Sequence, residues 1–204
     1  MHPNDTFLEV AGTSKGYFKD KGSKFIGYAF AVSTEEEVKQ RMASVKKQEY
    51  AARHHCYAYI LKADKSVRRD SDDGEPSNSA GKPILGQIIS RDLTNTLVVV
   101  VRCFGGVKLG VCGLINAYRL AASDALDNIE IKKCFVKYVF IVLFKYSEMN
   151  NVMRIVKDLK LDIINQSLEI ECAITISVRK SQSQKMQRIF ANNHNLKLVY
   201  KNTI

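Results

Sequence analysis

The chain has 204 residues, of which 46% are hydrophobic and 25% are charged, and its formal net charge is +10. That composition is typical of a globular protein and argues against a disordered one. The longest uncharged apolar runs, at 97–101 and 138–144, are far shorter than the roughly 20 residues that cross a bilayer, so we expect no transmembrane helix. The basic excess favours polyanionic partners, with nucleic acid or the ribosome before others.

The start of the chain and the cysteines indicate a cytoplasmic protein. Residues 1–10 contain Asp5 and Glu9 and lack the basic start and apolar core of a secretory signal. The five cysteines form no Cys-x-x-Cys pair, which disfavours a zinc finger, and reduced thiols are the rule in a cytoplasm. Nothing in the sequence indicates a cofactor, and a membrane is not among the expected partners.

Glycine use divides the chain into two expected domains, 1–133 and 134–204. Seven of the 11 glycines lie between Gly74 and Gly113, and none follows Gly113. Glycine allows backbone angles and close approaches that other residues resist. We therefore expect the functional loops of the first domain at 74–113.

The first domain mixes strand and helix patterns. Its predicted elements, in chain order, are strands near 16–18 and 25–32, a helix over 34–49, a strand at 55–61, a loop at 65–81, a strand at 97–101 and a helix with a small-residue face over 111–128. The first helix follows a capping box from Ser33 to Glu36, in which the serine hydroxyl accepts a backbone hydrogen bond. The run at 97–101 is apolar on both faces and predicts a buried central strand.

The second domain has a more regular pattern. Its predicted elements are a strand at 135–144, a helix over 148–159, strands at 162–167 and 169–178, a helix over 181–193 and a strand at 196–200. The resulting β-α-β-β-α-β order is the ferredoxin-like pattern. The predicted fold class of the whole chain is therefore α+β.

A glycine-rich segment joins the predicted buried strand to the following helix. The backbone amides of Gly105, Gly106 and Gly110 suit a phosphate or another anion, and Lys108 and Arg102 add positive charge. The segment matches neither a Walker A loop nor the dinucleotide fingerprint. A tight corner that needs glycine for its backbone geometry is the other interpretation, and the sequence leaves both open.

An acidic loop is the second candidate. Asp72, Asp73 and Glu75 place three carboxylates within four residues, and Lys82 follows soon after. Carboxylates so placed can hold Mg²⁺ or act as an acid–base pair. The loop is also rich in turn-forming residues, and we prefer an exposed turn over a metal site. Either interpretation leaves the loop available to a partner.

The third candidate is the predicted strand that begins with two histidines and a cysteine. Along a strand, His54 and Cys56 share one face. The other face carries basic and aromatic side chains, namely Arg53, His55, Tyr57 and Tyr59. A His/Cys pair lacks the three or four ligands of a metal site, and neighbours along a strand seldom meet as nucleophile and base. The basic and aromatic face suits single-stranded nucleic acid, with plain packing as the alternative.

Four stretches of the chain resemble the YigZ/Impact family and its bacterial two-domain branch. They are residues 52–59 (ARHHCYAY), 72–77 (DDGEPS), 80–88 (AGKPILGQI) and 95–118. The resemblance implies that the N-terminal domain has the left-handed βαβ architecture of elongation factor G domain IV and the GHMP kinases. It implies that the C-terminal domain is similar to the ferredoxin-like domains of that elongation factor. It also implies control of translation initiation for the eukaryotic members, which carry a further N-terminal domain.

The chain departs from this family pattern at four positions. Asn78 and Cys112 stand where glycine is common, Cys103 where tyrosine is common, and Asn116 where arginine is usual. These changes reduce the flexibility and the positive charge around the glycine-rich segment and the acidic loop.

The leading hypothesis is a non-enzymatic, cytoplasmic protein that binds RNA or the ribosome and regulates translation. Its groove is expected between the strand at 53–59, the loop at 72–82 and the loop at 102–110. The expected phosphate contacts are Lys82, Arg102 and Lys108, and the expected stacking rings are Tyr57 and Tyr59. No specificity for DNA is inferred.

Two other hypotheses stay open. One is an enzyme that acts on a phosphorylated small molecule or nucleotide, in which Asp72, Asp73 or Glu75 handles a proton or Mg²⁺. No nucleophile–base pair identifies a catalytic residue for it. The other is a protein-interaction module, in which residues 72–82 dock on a protein partner in translation control.

Overall fold

The computed structural model describes residues 5–169 and 171–204. The chain divides into two units, one of Phe7–Cys134 and one that combines residues 5–6 with Phe135–Ile204. Both units mix helices with sheets, which confirms the predicted α+β class. Residue 170, which falls in the strand predicted at 169–178, lies outside the described residues. Of the helices in the described part of the chain, none is both long and apolar enough to cross a membrane.

The first of these units contains the segments singled out from the sequence. Its elements are β1 (Thr6–Ala11), β2 (Thr13–Asp20), β3 (Ser23–Ala31), α1 (Glu35–Gln48), β4 (His54–Leu61), β5 (Val67–Ser71), α2 (Gly81–Ser90), β6 (Leu93–Thr94), β7 (Thr96–Cys103), α3 (Gly110–Asp127) and β8 (Glu130–Phe135). Five strands form an antiparallel sheet in the order β2-β3-β7-β4-β5. A smaller sheet has the order β6-β1-β8.

The five-stranded sheet, called the central sheet below, separates two apolar layers. Successive side chains of a strand point to opposite faces. Val98 and Val100 of β7 therefore pack with α2 and α3, whereas Leu97 and Val99 pack with α1. These four residues are fully buried, which confirms the central strand predicted from the apolar run.

Small residues bring α3 close to this sheet. Ala117, Ala121 and Ala125 are fully buried on one side of the helix, as its predicted small-residue face requires. A Cβ atom on Gly27 of β3 would lie 2.4 Å from the carbonyl oxygen of Ala121. Only glycine permits that approach, so α3 lies directly on the strands.

The structure corrects several local predictions. α1 is capped by Thr34 rather than Ser33, because Thr34 has the extended backbone of a cap and its hydroxyl accepts the amide of Glu37 at 3.2 Å. The predicted loop at 65–81 contains β5, an edge strand whose sequence VRRDS lacks apolar alternation. The sequence patterns also predict no element at α2 or at the strands β1, β6 and β8.

The second unit has the predicted order of elements. They are β9 (Lys137–Lys145), α4 (Met149–Asp158), β10 (Asp162–Leu168), β11 (Glu171–Arg179), α5 (Ser183–Ala191) and β12 (Lys197–Thr203). The strands form an antiparallel sheet in the order β10-β11-β9-β12, which is the ferredoxin-like arrangement. Val152 of α4 and Met186 and Phe190 of α5 are buried against one face of this sheet.

Asp5 joins the start of the described chain to this second unit. Its carboxylate accepts hydrogen bonds from the guanidinium of Arg179 and from the amide of Ser181, the latter at 3.0 Å. Its carbonyl accepts the amide of Val136 at 2.9 Å. A buried carboxylate needs such partners. The contact was not predicted because Asp5 and Arg179 lie 174 positions apart.

Candidate nucleic-acid interface

The predicted acidic loop is ordered by Asp72. Its carboxylate accepts three backbone hydrogen bonds, from Asn78 at 2.8 Å, Ala80 at 2.9 Å and Gly81 at 2.8 Å, and thereby caps the start of α2. Burial opposes ionisation of this carboxyl, but the backbone donors and the charge of Lys82 outweigh it and lower the pKa of Asp72. Asp72 therefore maintains the geometry of the loop.

Glu75 anchors the same loop to β7 and α3. Its Oε1 atom accepts hydrogen bonds from Nη1 of Arg102 at 2.7 Å and from the hydroxyl of Tyr118 at 2.9 Å. The side chains of Glu75 and Arg102 are 4% and 10% exposed, so the ion pair is buried. The guanidinium also lies near the rings of Phe25 and Phe104. Arg102 is therefore neutralised within the protein instead of contacting phosphate as predicted.

Asp73 holds the start of β4. Its Oδ2 atom accepts the amide of His55 at 2.7 Å, and its carbonyl oxygen lies 2.8 Å from Nδ1 of His54. Lys82 likewise pairs with Asp70 at 3.0 Å. The three predicted carboxylates thus have separate internal partners. In residues 5–169 and 171–204, no three His, Cys, Asp or Glu side chains gather as a metal site requires.

The Cys56 thiol is part of the core. It is fully buried and donates a hydrogen bond to the carbonyl of Asp72 at 3.0 Å. Burial raises its pKa to about 12, so the thiolate is scarce at neutral pH. Cys56 is accordingly a packing residue that also holds the acidic loop.

The glycine-rich segment forms a tight corner between β7 and α3. A Cβ atom on Gly105 would lie 1.9 Å from the carbonyl carbon of Gly22, and the Gly105 amide donates to the hydroxyl of Ser23 at 3.2 Å. Gly106 and Gly110 have φ angles of 89° and 72°, which glycine adopts most readily. Backbone geometry accounts for these glycines, and the amide of Gly105 is already occupied.

The structure does not bring the predicted site residues into one groove. Arg102 lies on the α2 and α3 face of the central sheet, because its side chain points to the same side of β7 as that of Val100. Tyr57 and Tyr59 point to the opposite face, toward α1. The predicted single groove is therefore wrong, because the alternation of side chains along β4 and β7 separates its parts. Arg53 and Lys108 are exposed outside both layers.

Only part of the predicted aromatic face is accessible. Tyr59 is 3% exposed, and its hydroxyl donates to Oε1 of Glu35 at 2.7 Å. Its ring is parallel to that of Tyr57, with centroids 6.3 Å apart and 3° between the planes. Stacking of a base on Tyr59 was thus predicted wrongly, and His55 is buried as well. Tyr57, which is half-buried, remains available.

A groove of about 370 Å³ lies on this accessible side, between α1 and the strands β4 and β5. We call it the basic groove. Its lining is Glu35, Val38, Lys39, Met42, Ala43, Lys46, Tyr57, Tyr59 and Arg69. Three cations and one carboxylate therefore surround an apolar and aromatic surface, the combination that binds single-stranded nucleic acid.

The cations of the basic groove form few or weak ion pairs with other side chains of the described residues. Among the described residues, neither Lys46 nor Arg69 has an ion-pair partner within 4.0 Å. Lys39 lies 3.5 Å from Glu36, but both side chains are largely exposed, and such surface pairs contribute little. All three can contact a phosphate.

The sequence patterns did not identify the basic groove. Lys39, Met42 and Lys46 occupy one side of α1 because residues three, four and seven apart share a helix face. This spacing was a usable signal for a cationic helix surface. Arg69 had no such signal, since β5 was predicted as a loop.

Comparisons with known proteins identify the family. The model of the Impact N-terminal domain matches residues 21–126. The chain belongs to the Impact family. The family member YigZ of Escherichia coli is 30% identical over 151 residues, which are 73% of this chain and 74% of YigZ. The family member YvyE of Bacillus subtilis is 42% identical over 109 residues, which are 53% of this chain and 50% of YvyE.

A solved structure supports the fold along nearly the whole chain. This crystal structure of an hypothetical protein has a TM-score of 0.78 at 25% identity, and the match covers 97% of this chain and 98% of the other. The match to YvyE, by contrast, spans only half of that protein. The basic groove lies entirely within the Impact N-terminal domain.

Proposed function

We propose that this Impact-family protein binds RNA, free or within the ribosome, through the basic groove, and that it regulates translation by doing so. The observation that carries the proposal is the groove itself. Lys39, Lys46 and Arg69 surround the half-buried ring of Tyr57. Cations near a backbone and a ring for stacking are the two parts of single-strand recognition.

Two further facts support RNA over other ligands. The net charge of +10 favours a polyanion at long range. The resemblance that led to the family implies translation control for its eukaryotic members. The enzyme hypothesis, by contrast, needs Asp72, Asp73 or Glu75 to be free, and each has internal partners.

A salt titration tests the groove as an RNA site. We expect the purified protein to bind single-stranded RNA and ribosomes at low salt in a filter assay. Lys46→Ala should weaken binding and flatten the dependence of log affinity on log salt by about 0.7, the contribution of one contact to a single strand. Lys47→Ala removes the same charge from a neighbouring exposed position outside the groove and should change the slope much less.

The stacking ring has its own matched pair of variants. Tyr57→Leu should weaken RNA binding about tenfold without changing the salt slope, since one base–aromatic contact contributes about 1–3 kcal/mol. Tyr50→Leu changes a tyrosine that is 85% exposed and outside the groove, and it should bind normally. If ribosomes, tRNA and single-stranded RNA all fail to bind at low salt, the proposed function is wrong.

A further inference from the structure

One carboxylate lies among the cations of the basic groove. Glu35 is the first residue of α1 and is exposed. Its Oε1 atom accepts the hydroxyl of Tyr59 at 2.7 Å, which restrains the side chain at the groove wall. Every other residue in the groove lining is basic or uncharged. A site that bound only phosphates would gain nothing from this negative charge.

The neighbouring acids in the same helical turn have other roles. The Oε2 atom of Glu36 lies 3.5 Å from Nζ of Lys39. The Oε2 atom of Glu37 accepts a hydrogen bond from the amide of Ser33 at 2.7 Å. Neither lines the groove. Glu35 is therefore the acid placed to meet a molecule that occupies it.

An ionised carboxylate only accepts hydrogen bonds, so it selects ligands that present donors. The tyrosine hydroxyl uses one acceptor position of Glu35 and leaves the others available. Guanine presents two adjacent donors on its Watson–Crick edge, the N1–H and the 2-amino group. Adenine and cytosine present one amino group beside a ring acceptor, and uracil presents one N–H between two carbonyl oxygens that repel a carboxylate.

We propose that the basic groove selects guanine, with the carboxylate of Glu35 accepting hydrogen bonds from N1–H and the 2-amino group while the base stacks on Tyr57. Bonds to an ionised acceptor are among the stronger hydrogen bonds, and two parallel ones add directional selectivity. Lys39, Lys46 and Arg69 then contact the flanking phosphates. The inference rests on the proposed function and names the base that the same site prefers.

Binding of short oligouridines that carry one central guanosine, inosine, adenosine or cytidine tests this assignment. We expect the guanosine oligomer to bind at least about tenfold more tightly than the adenosine and cytidine oligomers, as for other bidentate base contacts. Inosine keeps N1–H but lacks the 2-amino group, so its oligomer should bind more weakly than that of guanosine.

Two variants separate the carboxylate from general charge effects. Glu35→Gln should abolish the guanosine preference and strengthen binding of the other oligomers, because a negative charge leaves the groove. Glu36→Gln makes the same change one residue away and should keep the preference. Equal binding of all oligomers, or equal loss of preference in both variants, overturns the guanine assignment but leaves RNA binding intact. Failure of every oligomer to bind at low salt overturns the proposed function as well.

Discussion

The two faces of the central sheet use their charged residues in opposite ways. On the α2 and α3 face, Glu75 and Arg102 neutralise each other in a buried ion pair, and Glu75 also accepts a hydrogen bond from the hydroxyl of Tyr118. On the α1 face, Lys46 and Arg69 line an open groove without ion-pair partners among the described residues. The first arrangement holds loops in place, and the second leaves charge available to a ligand.

This difference shows that the charged residues of a conspicuous motif can stabilise the fold itself. The acidic loop and the glycine-rich segment stand out in the sequence, yet Asp72, Glu75 and the amide of Gly105 have internal partners. The cations that line the basic groove come from an ordinary amphipathic helix and a polar edge strand. The comparison leads to three tests, ordered from the largest expected effect to the smallest.

The largest effect is expected at the buried ion pair. Glu75→Gln leaves Arg102 buried without a counter-charge, which costs about 3–5 kcal/mol in other buried pairs. The free energy of unfolding, measured by urea denaturation at neutral pH, should fall by that amount. RNA affinity of the folded variant should be unchanged, because the pair lies on the face opposite the groove.

The control for this variant is Glu36→Gln, which changes an exposed surface pair. Its free energy of unfolding should stay within about 0.5 kcal/mol of the parent. If both variants lose similar stability, the ion pair does not distinguish the two faces.

A smaller effect is expected at the glycine corner. Gly105→Ala places a Cβ atom 1.9 Å from the carbonyl carbon of Gly22, and overpacking of this kind typically costs about 1–3 kcal/mol. Gly86→Ala, in the middle of α2, meets nothing within 4 Å and should stabilise the protein by about 0.5–1 kcal/mol. Thermal unfolding of both variants checks these opposite signs. Equal melting temperatures would show that Gly105 is not held by packing.

The smallest effect concerns the acid side of the stability curve. In the folded chain, the pKa of Asp72 lies below its ordinary value of 3.8. As the pH falls, this carboxyl is therefore protonated in the unfolded chain before it is protonated in the folded chain. Its contribution to stability is present above the ordinary pKa and is lost as pH falls through the lower, folded value. Asp72→Asn should therefore make the free energy of unfolding less dependent on pH below about 4. An unchanged acid slope would contradict the capping role.

Much of the fold was predictable because its signals are local. The helix over 34–49, the buried strand at 97–101 and the β-α-β-β-α-β order follow from periodicity, and the structure confirms them. The strand β5 was missed because an edge strand with one solvated side needs no apolar alternation. α2 was missed as well, although Pro83 in its first turn is compatible with a helix start.

The candidate site was predictable only in part. The face shared by Tyr57 and Tyr59 follows from the geometry of a single strand, and the structure places both rings toward α1. The hydrogen bond from Tyr59 to Glu35 joins residues 24 positions apart, and the pair of Glu75 with Arg102 joins residues 27 apart. No local pattern specifies such contacts.

The amino-acid sequence by itself determined the family, the order of most elements and the face of the strand to which each side chain points. These properties depend on short-range periodicity and on motifs within one segment. The tertiary structure alone decided which charges neutralise one another and which remain available, because that depends on distances between segments far apart in the chain. For this reason Arg102 became an internal anchor, whereas Arg69 became part of an open groove.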